Sequence, residues 1–184
     1  MGIVNVVVIC NGESVLEHEY GPIIDKFDCV VRMGEFKIKG FEKHIGKKTD
    51  VIINRMKQTY DETYINPNTD IWSPHKIKEN EKILHTKYIN ETKTNKIKYV
   101  LDIDTPTTGL FAYYLVEEFI PEKKKIYYHG MDFHLGGEYW DKEHSHAKIA
   151  LKENVNHEPF KERLWFNKMV IGKKIFKLTN YHLF

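Results

Sequence analysis

Ile3-Val4-Asn5-Val6-Val7-Val8-Ile9-Cys10, followed at once by Asn11-Gly12-Glu13-Ser14, is the stretch on which the fold turns. Its near-continuous β-branched character reads as a central strand buried on both faces, since a one-sided strand would alternate apolar with polar residues. The Asn-Gly turn ends it and leads into a short helical stretch. Working outward, Asp28 to Arg32 reads as a second strand, followed by a loop at Gly34. Phe41 to Ile45 reads as one or two helical turns stopped by Gly46, and Asp50 to Asn54 as a third strand. Asp70 to Ser73 reads as a short strand, and the polar, lysine-rich His75 to Lys96 as exposed helix and loop. Lys98 to Asp102 reads as another strand. Thr107 to Phe119 carries the apolar face of a helix closed by Pro121, and Lys125 to Gly130 reads as a strand. The loop Met131 to Ser145 precedes an amphipathic helix from His157 to Val170 and a last strand from Lys174 to Leu178. Strands alternating with helices predict an α/β fold with a mostly parallel sheet and helices on both faces. With no internal repeat and no linker, residues 1–184 are expected to form a single domain.

Composition narrows the function classes. The chain has 184 residues, 41% hydrophobic and 29% charged, the balance of a globular protein. Lys plus Arg number 28 against 26 acids, too even a count for a dedicated nucleic-acid binder. Cys10 and Cys29 fall in predicted strands and read as buried free thiols. No signal-peptide pattern opens the sequence, and no apolar run approaches the ~20 residues of a membrane span. A cytoplasmic protein is the expectation.

In open α/β sheets, ligands bind beyond the carboxyl ends of the strands. Small, hydroxylated and amide residues gather there: Asn11, Gly12 and Ser14 after the first strand, Asn54 after the third, and Thr107-Thr108-Gly109 before the long helix. Such a set suits a nucleotide-sugar, which needs hydrogen bonds to base, ribose and phosphate without bulky walls. The Asn-Gly turn also has an ordinary backbone explanation. The threonine at the helix start fits capping and phosphate binding equally, because both use the same unbonded N–H groups. Asp102-Ile103-Asp104, read at a strand end, has the form of a divalent-metal site on a donor diphosphate, and equally of an exposed strand end. His157 precedes Pro159, a residue favoured in the first helical turn. The helix dipole there disfavours imidazolium, so a neutral ring could take a proton from an acceptor hydroxyl. Glu162, five residues on, points away from the face of His157 within one helix and is then expected to brace the fold; the alternative, that it orients the imidazole, requires His157 to lie before the helix proper.

At these residues the chain resembles the sialyltransferases of glycosyltransferase family 29. Tyr20-Gly21-Pro22 through Asp28-Cys29-Val30-Val31-Arg32-Met33 resembles the centre of the family's long donor-binding motif. Gly40-Phe41-Glu42 with Ile45-Gly46-Lys47-Lys48-Thr49 resembles its end. Pro106-Thr107-Thr108-Gly109 resembles the start of the short motif and Tyr127-Tyr128-His129-Gly130 its closing strand. His157 followed by Glu162 is similar to the last small motif, whose histidine is the family's base. The bacterial family 42 enzymes are similar in their Asn-Gly-x-Ser turn and in Gly130-Met131-Asp132-Phe133. The resemblance implies a GT-A-like fold, a CMP-sugar donor, inverting transfer to a glycan or glycolipid acceptor, and neither metal nor cofactor. It places Asn11, Gly12, Ser14 and Asn54 on the donor, Thr107, Thr108 and Gly109 on its ribose and phosphate, and Tyr139 near the leaving phosphate. His157 becomes the catalytic base.

The departures are specific. Gly34 stands where the long motif has asparagine, Glu138 precedes Tyr139 and Trp140 where the third motif has histidine, and the family's motif-linking disulfide cannot form because no cysteine lies in the short-motif region. A bacterial or viral relative is the natural expectation. Three rivals stand beside this reading: a metal-dependent glycosyltransferase using Asp102 and Asp104, a non-catalytic nucleotide-sugar binder, and a protein-interaction module. Lys173 to Phe184 mixes lysines with Ile, Phe, Leu and Tyr, which fits a last sheet strand or a peripheral membrane contact.

Overall fold

The structure, a computed structural model, describes residues 2–54, 65–74, 86–122, 124–133, 137–141 and 158–179. Its strands are β1 (Val4–Ile9), β2 (Cys29–Met33), β3 (Val51–Ile53), β4 (Asp70–Ser73), β5 (Thr86–Tyr88), β6 (Lys124–His129) and β7 (Phe176–Lys177). They form one sheet in the order β5-β4-β3-β2-β1-β6-β7. Every neighbouring pair is parallel. The helices are α1 (Gly21–Ile24), α2 (Glu42–Ile45), α3 (Glu91–Leu101), α4 (Thr108–Phe119) and α5 (Pro159–Ile171), with a 3₁₀ turn over Glu13–Glu17.

β1 is central because its residues can be buried on either side. Val7 pairs with Val30 of β2 and with Tyr127 of β6. Val6 and Val8 join Val31, Met33, Phe111 and Leu115 in one core, to which α3 adds Ile97 and α5 adds Phe166. Val7 and Ile9 join Val30, Ile52 and Tyr127 in a second core, covered by Val15, Ile24 and Ile45. Helices therefore cover both faces, and the β-branched run of the first strand is explained by two cores rather than one.

Arg32 of β2 points into the second core with 1% of its surface exposed. Its guanidinium donates to the carbonyls of Ile45, Gly46 and Lys48 and to Thr49 Oγ1. These acceptors terminate α2 and the turn before β3, so one cation ties β2 to both. Burial lowers its pKa to about 10, and it stays charged at neutral pH.

Two expectations are corrected. Lys98 to Asp102 is not a strand: it is the last turn of α3 and its cap. Asn90 caps that helix by accepting from Lys93 N at 2.9 Å, and Thr94 Oγ1 donates to Pro74 O at 2.6 Å. These contacts and the burial of Ile97 outweigh the β-branched propensity of the segment. The strand lies earlier, at Thr86–Tyr88, inside a stretch read as helix and loop; residues 75–85 lie outside the described residues. β7 is shorter than the segment 174–178 read for it. No helix among the described residues is long and apolar enough to cross a membrane.

Candidate functional site

Strand order places the site. From β1 the chain builds outward through β2 to β5, then returns to the other side of β1 with β6. Between β1 and β6 the connections diverge to opposite sides, which makes the carboxyl ends of these strands the switch point where open α/β sheets form their ligand crevice. Three segments meet there: Asn11 to Ser14 after β1, Gly130 to Asp132 after β6, and the start of α4.

The first two are fastened together. Cys10 N donates to His129 O at 2.8 Å and Gly12 N to Gly130 O at 3.1 Å, extending the pairing past the strands. Ser14 N donates to Asp132 Oδ2 at 2.9 Å, and Ser14 Oγ donates to Asp132 Oδ1. Gly12 has to be glycine: a Cβ would stand 2.3 Å from the Asp132 carboxylate. Gly130, at φ +74°, takes the left-handed conformation, and a Cβ there would meet Val15 at 2.3 Å. The Asn-Gly turn thus lets the two strand exits close on each other.

Asn11 faces the other way along the edge. Its Nδ2 donates to Met33 O at 3.3 Å and Glu35 O at 2.8 Å, straddling Gly34. Gly34 sits at φ +55°, the region that glycine and asparagine both tolerate. The exchange noted in the sequence is therefore compatible with the backbone and removes only a side-chain amide. Asn54 is buried at the end of β3, where its N donates to Trp72 O at 2.9 Å.

The start of α4 is built from a cap and a brace. Thr107 Oγ1 accepts from Leu110 N at 3.4 Å, the normal work of an N-cap. Glu162 of α5, fully buried, receives Thr107 N at 2.8 Å and Thr107 Oγ1 at 2.5 Å. The expected bracing role of Glu162 is what the structure shows. Thr107 thus has both its hydroxyl proton and its backbone N–H engaged by protein. Among the described residues, the N–H groups of Thr108 and Gly109 have no such partner. Gly109 presses against β6's exit, since a Cβ would come within 2.6 Å of Met131 Sδ. The open helix start is therefore held against the same crevice as Gly12 and Asp132.

Tyr139 is held by backbone on two sides. It is buried, with its hydroxyl donating to Lys37 O at 2.7 Å and accepting from Lys37 N at 3.1 Å. Its own N donates to Asn11 O at 3.0 Å, and Phe41 and Trp140 pack edge-on against its ring. Burial raises its pKa. It is a strut between the Asn11 turn and the Lys37 loop, and its hydroxyl is already fully used.

Asp102 and Asp104 do not end a strand. Asp102 caps α3 in the left-handed conformation, and its carboxylate lies 2.8 Å from Lys161 Nζ, which holds its pKa below the usual range. Among the described residues, no group of three or more His, Cys, Asp or Glu is placed to hold a metal. His157 lies outside the described residues; in sequence it comes directly before Glu158, the N-cap of α5. Cys10 and Cys29 are free thiols, both with pKa raised by burial.

Sequence reasoning gave Asp132 no role of its own, although it holds Ser14; the only signal was its place in Gly130-Met131-Asp132. It missed His129 as well. That ring is 5% exposed, and among the described residues its Nε2 has no hydrogen-bond partner. Burial, with His18 nearby, lowers its pKa to about 4.

Comparison with known proteins matches this geometry. Residues 3–70 match the sequence model of glycosyltransferase family 29 (sialyltransferase). A stretch of 44 residues is 39% identical to the beta-1,6-galactosyltransferase GALT29A of Arabidopsis thaliana, covering 24% of this chain and 11% of that protein. Two crystal structures of a mammalian sialyltransferase superimpose with a TM-score of 0.65 at 16% and 17% identity. One of them was solved with Gal-beta-1-3GalNAc-ortho-nitrophenol. They cover 95% of this chain and 69% and 68% of those chains. The chain is sialyltransferase-like, in sequence over residues 3–70 and in fold along nearly its whole length.

Proposed function

From that likeness, we propose that the chain is an inverting, metal-independent glycosyltransferase of GT-A-like architecture. It moves a sialic-acid-type sugar from a CMP-sugar to a hydroxyl of a glycan or glycolipid acceptor. The observation that carries this reading is the open start of α4, pressed by Gly109 against the Gly12 and Asp132 crevice. A helix start with unbonded N–H groups and a positive dipole end suits a leaving phosphate.

In the reaction, the acceptor oxygen attacks the anomeric carbon and the new C–O bond forms. The bond from that carbon to the CMP phosphate breaks, and its electron pair leaves on the phosphate oxygen. The acceptor's hydroxyl proton passes to His157. Charge growing on the phosphate is met by the N–H groups of Thr108 and Gly109, fixed before the reaction by the Thr107–Glu162 brace. Asn11 and Ser14 line the donor side; Ser14 gives its proton to Asp132, so its oxygen acts toward the donor as an acceptor. Gly12 and Asn54 shape the same wall. Tyr139 holds the Asn11 turn from behind, a different task from contacting the phosphate.

General-base assistance contributes about 10²–10⁴-fold. His157→Ala should lose roughly that factor in transfer from a CMP-sugar, measured in chelator, while CMP affinity stays within about twofold. Full activity in the variant would refute the base. CMP binding with no transfer or donor hydrolysis by the unaltered protein would point instead to a non-catalytic binder.

A further inference from the structure

The outward face of α5 takes no part in the proposed chemistry, yet it is built in a definite way. Phe160, Leu164 and Ile171 are 79%, 57% and 82% exposed. At about 100° per residue they project within about 40° of one another. Glu162 and Phe166, on the opposite side, are buried against α4 and the sheet. Arg163 flanks the apolar stripe on one side and Lys168 on the other. Lys173, Lys174 and Lys177 continue the exposed charge beyond the helix.

This charge is one-sided. From 159 to 179 the sequence holds a single acid, Glu162, and that one is buried. Lys161 is paired with Asp102 and Glu158; the other cations of the stretch have no acidic partner among the described residues. A chain with a net charge of only +2 thus concentrates positive charge around three protruding apolar side chains.

A second copy fits this face poorly, because the same cations would confront each other across a two-fold interface. A nucleic acid would satisfy the lysines and leave Leu164 and Ile171 against water or phosphate. A lipid surface of negative charge satisfies both: headgroup phosphates meet the cations, and the apolar stripe enters the acyl boundary. We propose that the α5 face docks the protein on an anionic membrane surface, with Phe160, Leu164 and Ile171 inserted and Arg163, Lys168, Lys173 and Lys174 at the headgroups. The binding is independent of the proposed sugar transfer and is tested without it.

The full chain is sedimented with vesicles of phosphatidylcholine alone and with about one third phosphatidylserine. Binding should require the anionic lipid and weaken about tenfold or more from low to high salt. The triple variant Phe160→Ser, Leu164→Ser, Ile171→Ser should bind at least about tenfold more weakly, with an unchanged thermal melt because all three are exposed. A second variant, Lys168→Glu with Lys173→Glu and Lys174→Glu, should lose binding as well. Equal binding to both vesicles, or none, would overturn the proposal. So would a dimer in solution that the serine variant dissociates, or polyanion binding as tight as vesicle binding and indifferent to that variant.

Discussion

Two carboxylates in this molecule make the same contact with opposite degrees of shelter. Asp132 takes the N–H and hydroxyl of Ser14, and Glu162 takes the N–H and hydroxyl of Thr107. Each holds a Ser or Thr where a helical segment begins, one on either flank of the crevice. Glu162 is wholly buried, whereas Asp132 is half-buried at the strand edge. A buried carboxylate that gives up water depends on its hydrogen bonds, so removing it leaves Thr107 with buried, unsatisfied groups. An edge carboxylate can exchange protein for solvent. The first contact therefore governs whether α4 is held in place. The second governs the shape of the donor wall.

The largest effect is expected at the buried contact. Glu162→Ala should cost about 4 kcal/mol, since two charge-assisted hydrogen bonds go and a cavity remains. Glu162→Gln should cost about 2 kcal/mol, because an NH₂ group must face one of the two donors. Denaturant melts measure both. A cost below about 1 kcal/mol for the alanine variant would remove the distinction.

The next effect separates these contacts from a third buried group. His129 has a folded pKa of about 4, below the ~6.5 of an unfolded histidine. Below pH ~6.5 the unfolded chain binds a proton that the folded chain refuses, so stability falls as pH falls from about 6.5 to about 4. The loss amounts to about 3 kcal/mol and then levels off. Burial and then His18 favour the shift, while the Val15 backbone, Asp132 and the His44 backbone oppose it. His129→Leu should flatten that limb, and the difference between the two pH–stability curves isolates it. An unchanged slope would place the acid sensitivity elsewhere.

The smallest stability effect belongs to the edge contact. Asp132→Asn keeps one acceptor for Ser14 and should cost about 1 kcal/mol. Its transfer rate should fall about tenfold or more, because the donor wall loses its fixed geometry. A stability cost exceeding that of Glu162→Ala would invert the comparison.

What the sequence disclosed follows the range of the interactions. Ile3 to Cys10 was readable as a doubly buried strand because burial on both faces is written in consecutive residues. Thr107 was readable as a cap because its partner, Leu110, is three residues away. Gly46 stops α2 at φ +68° for an equally local reason. The cap of α3 at Asn90 was as local, but the reading of Lys98 to Asp102 as a strand masked it. Long-range partners carried no local mark. Nothing in the sequence ties Ser14 to Asp132 or Tyr139 to Lys37, so Asp132 received no role and the contact of Tyr139 with Lys37 was not foreseen. Glu162 is instructive: it was read as a brace without a named partner, and packing supplied that partner in Thr107, the N-cap of α4.

The central claim is that the crevice between β1 and β6 takes a CMP-sugar without metal. The direct measurement is thermal unfolding with CMP, UDP and GDP, each with manganese and with chelator. At about a hundred times its Kd, a ligand adds ~2.7 kcal/mol, or roughly 5–10 °C for a chain of this size. CMP alone should produce that shift, in chelator as fully as in manganese. A shift that belongs to UDP or GDP and vanishes in chelator, or no shift with any nucleotide, would contradict the account.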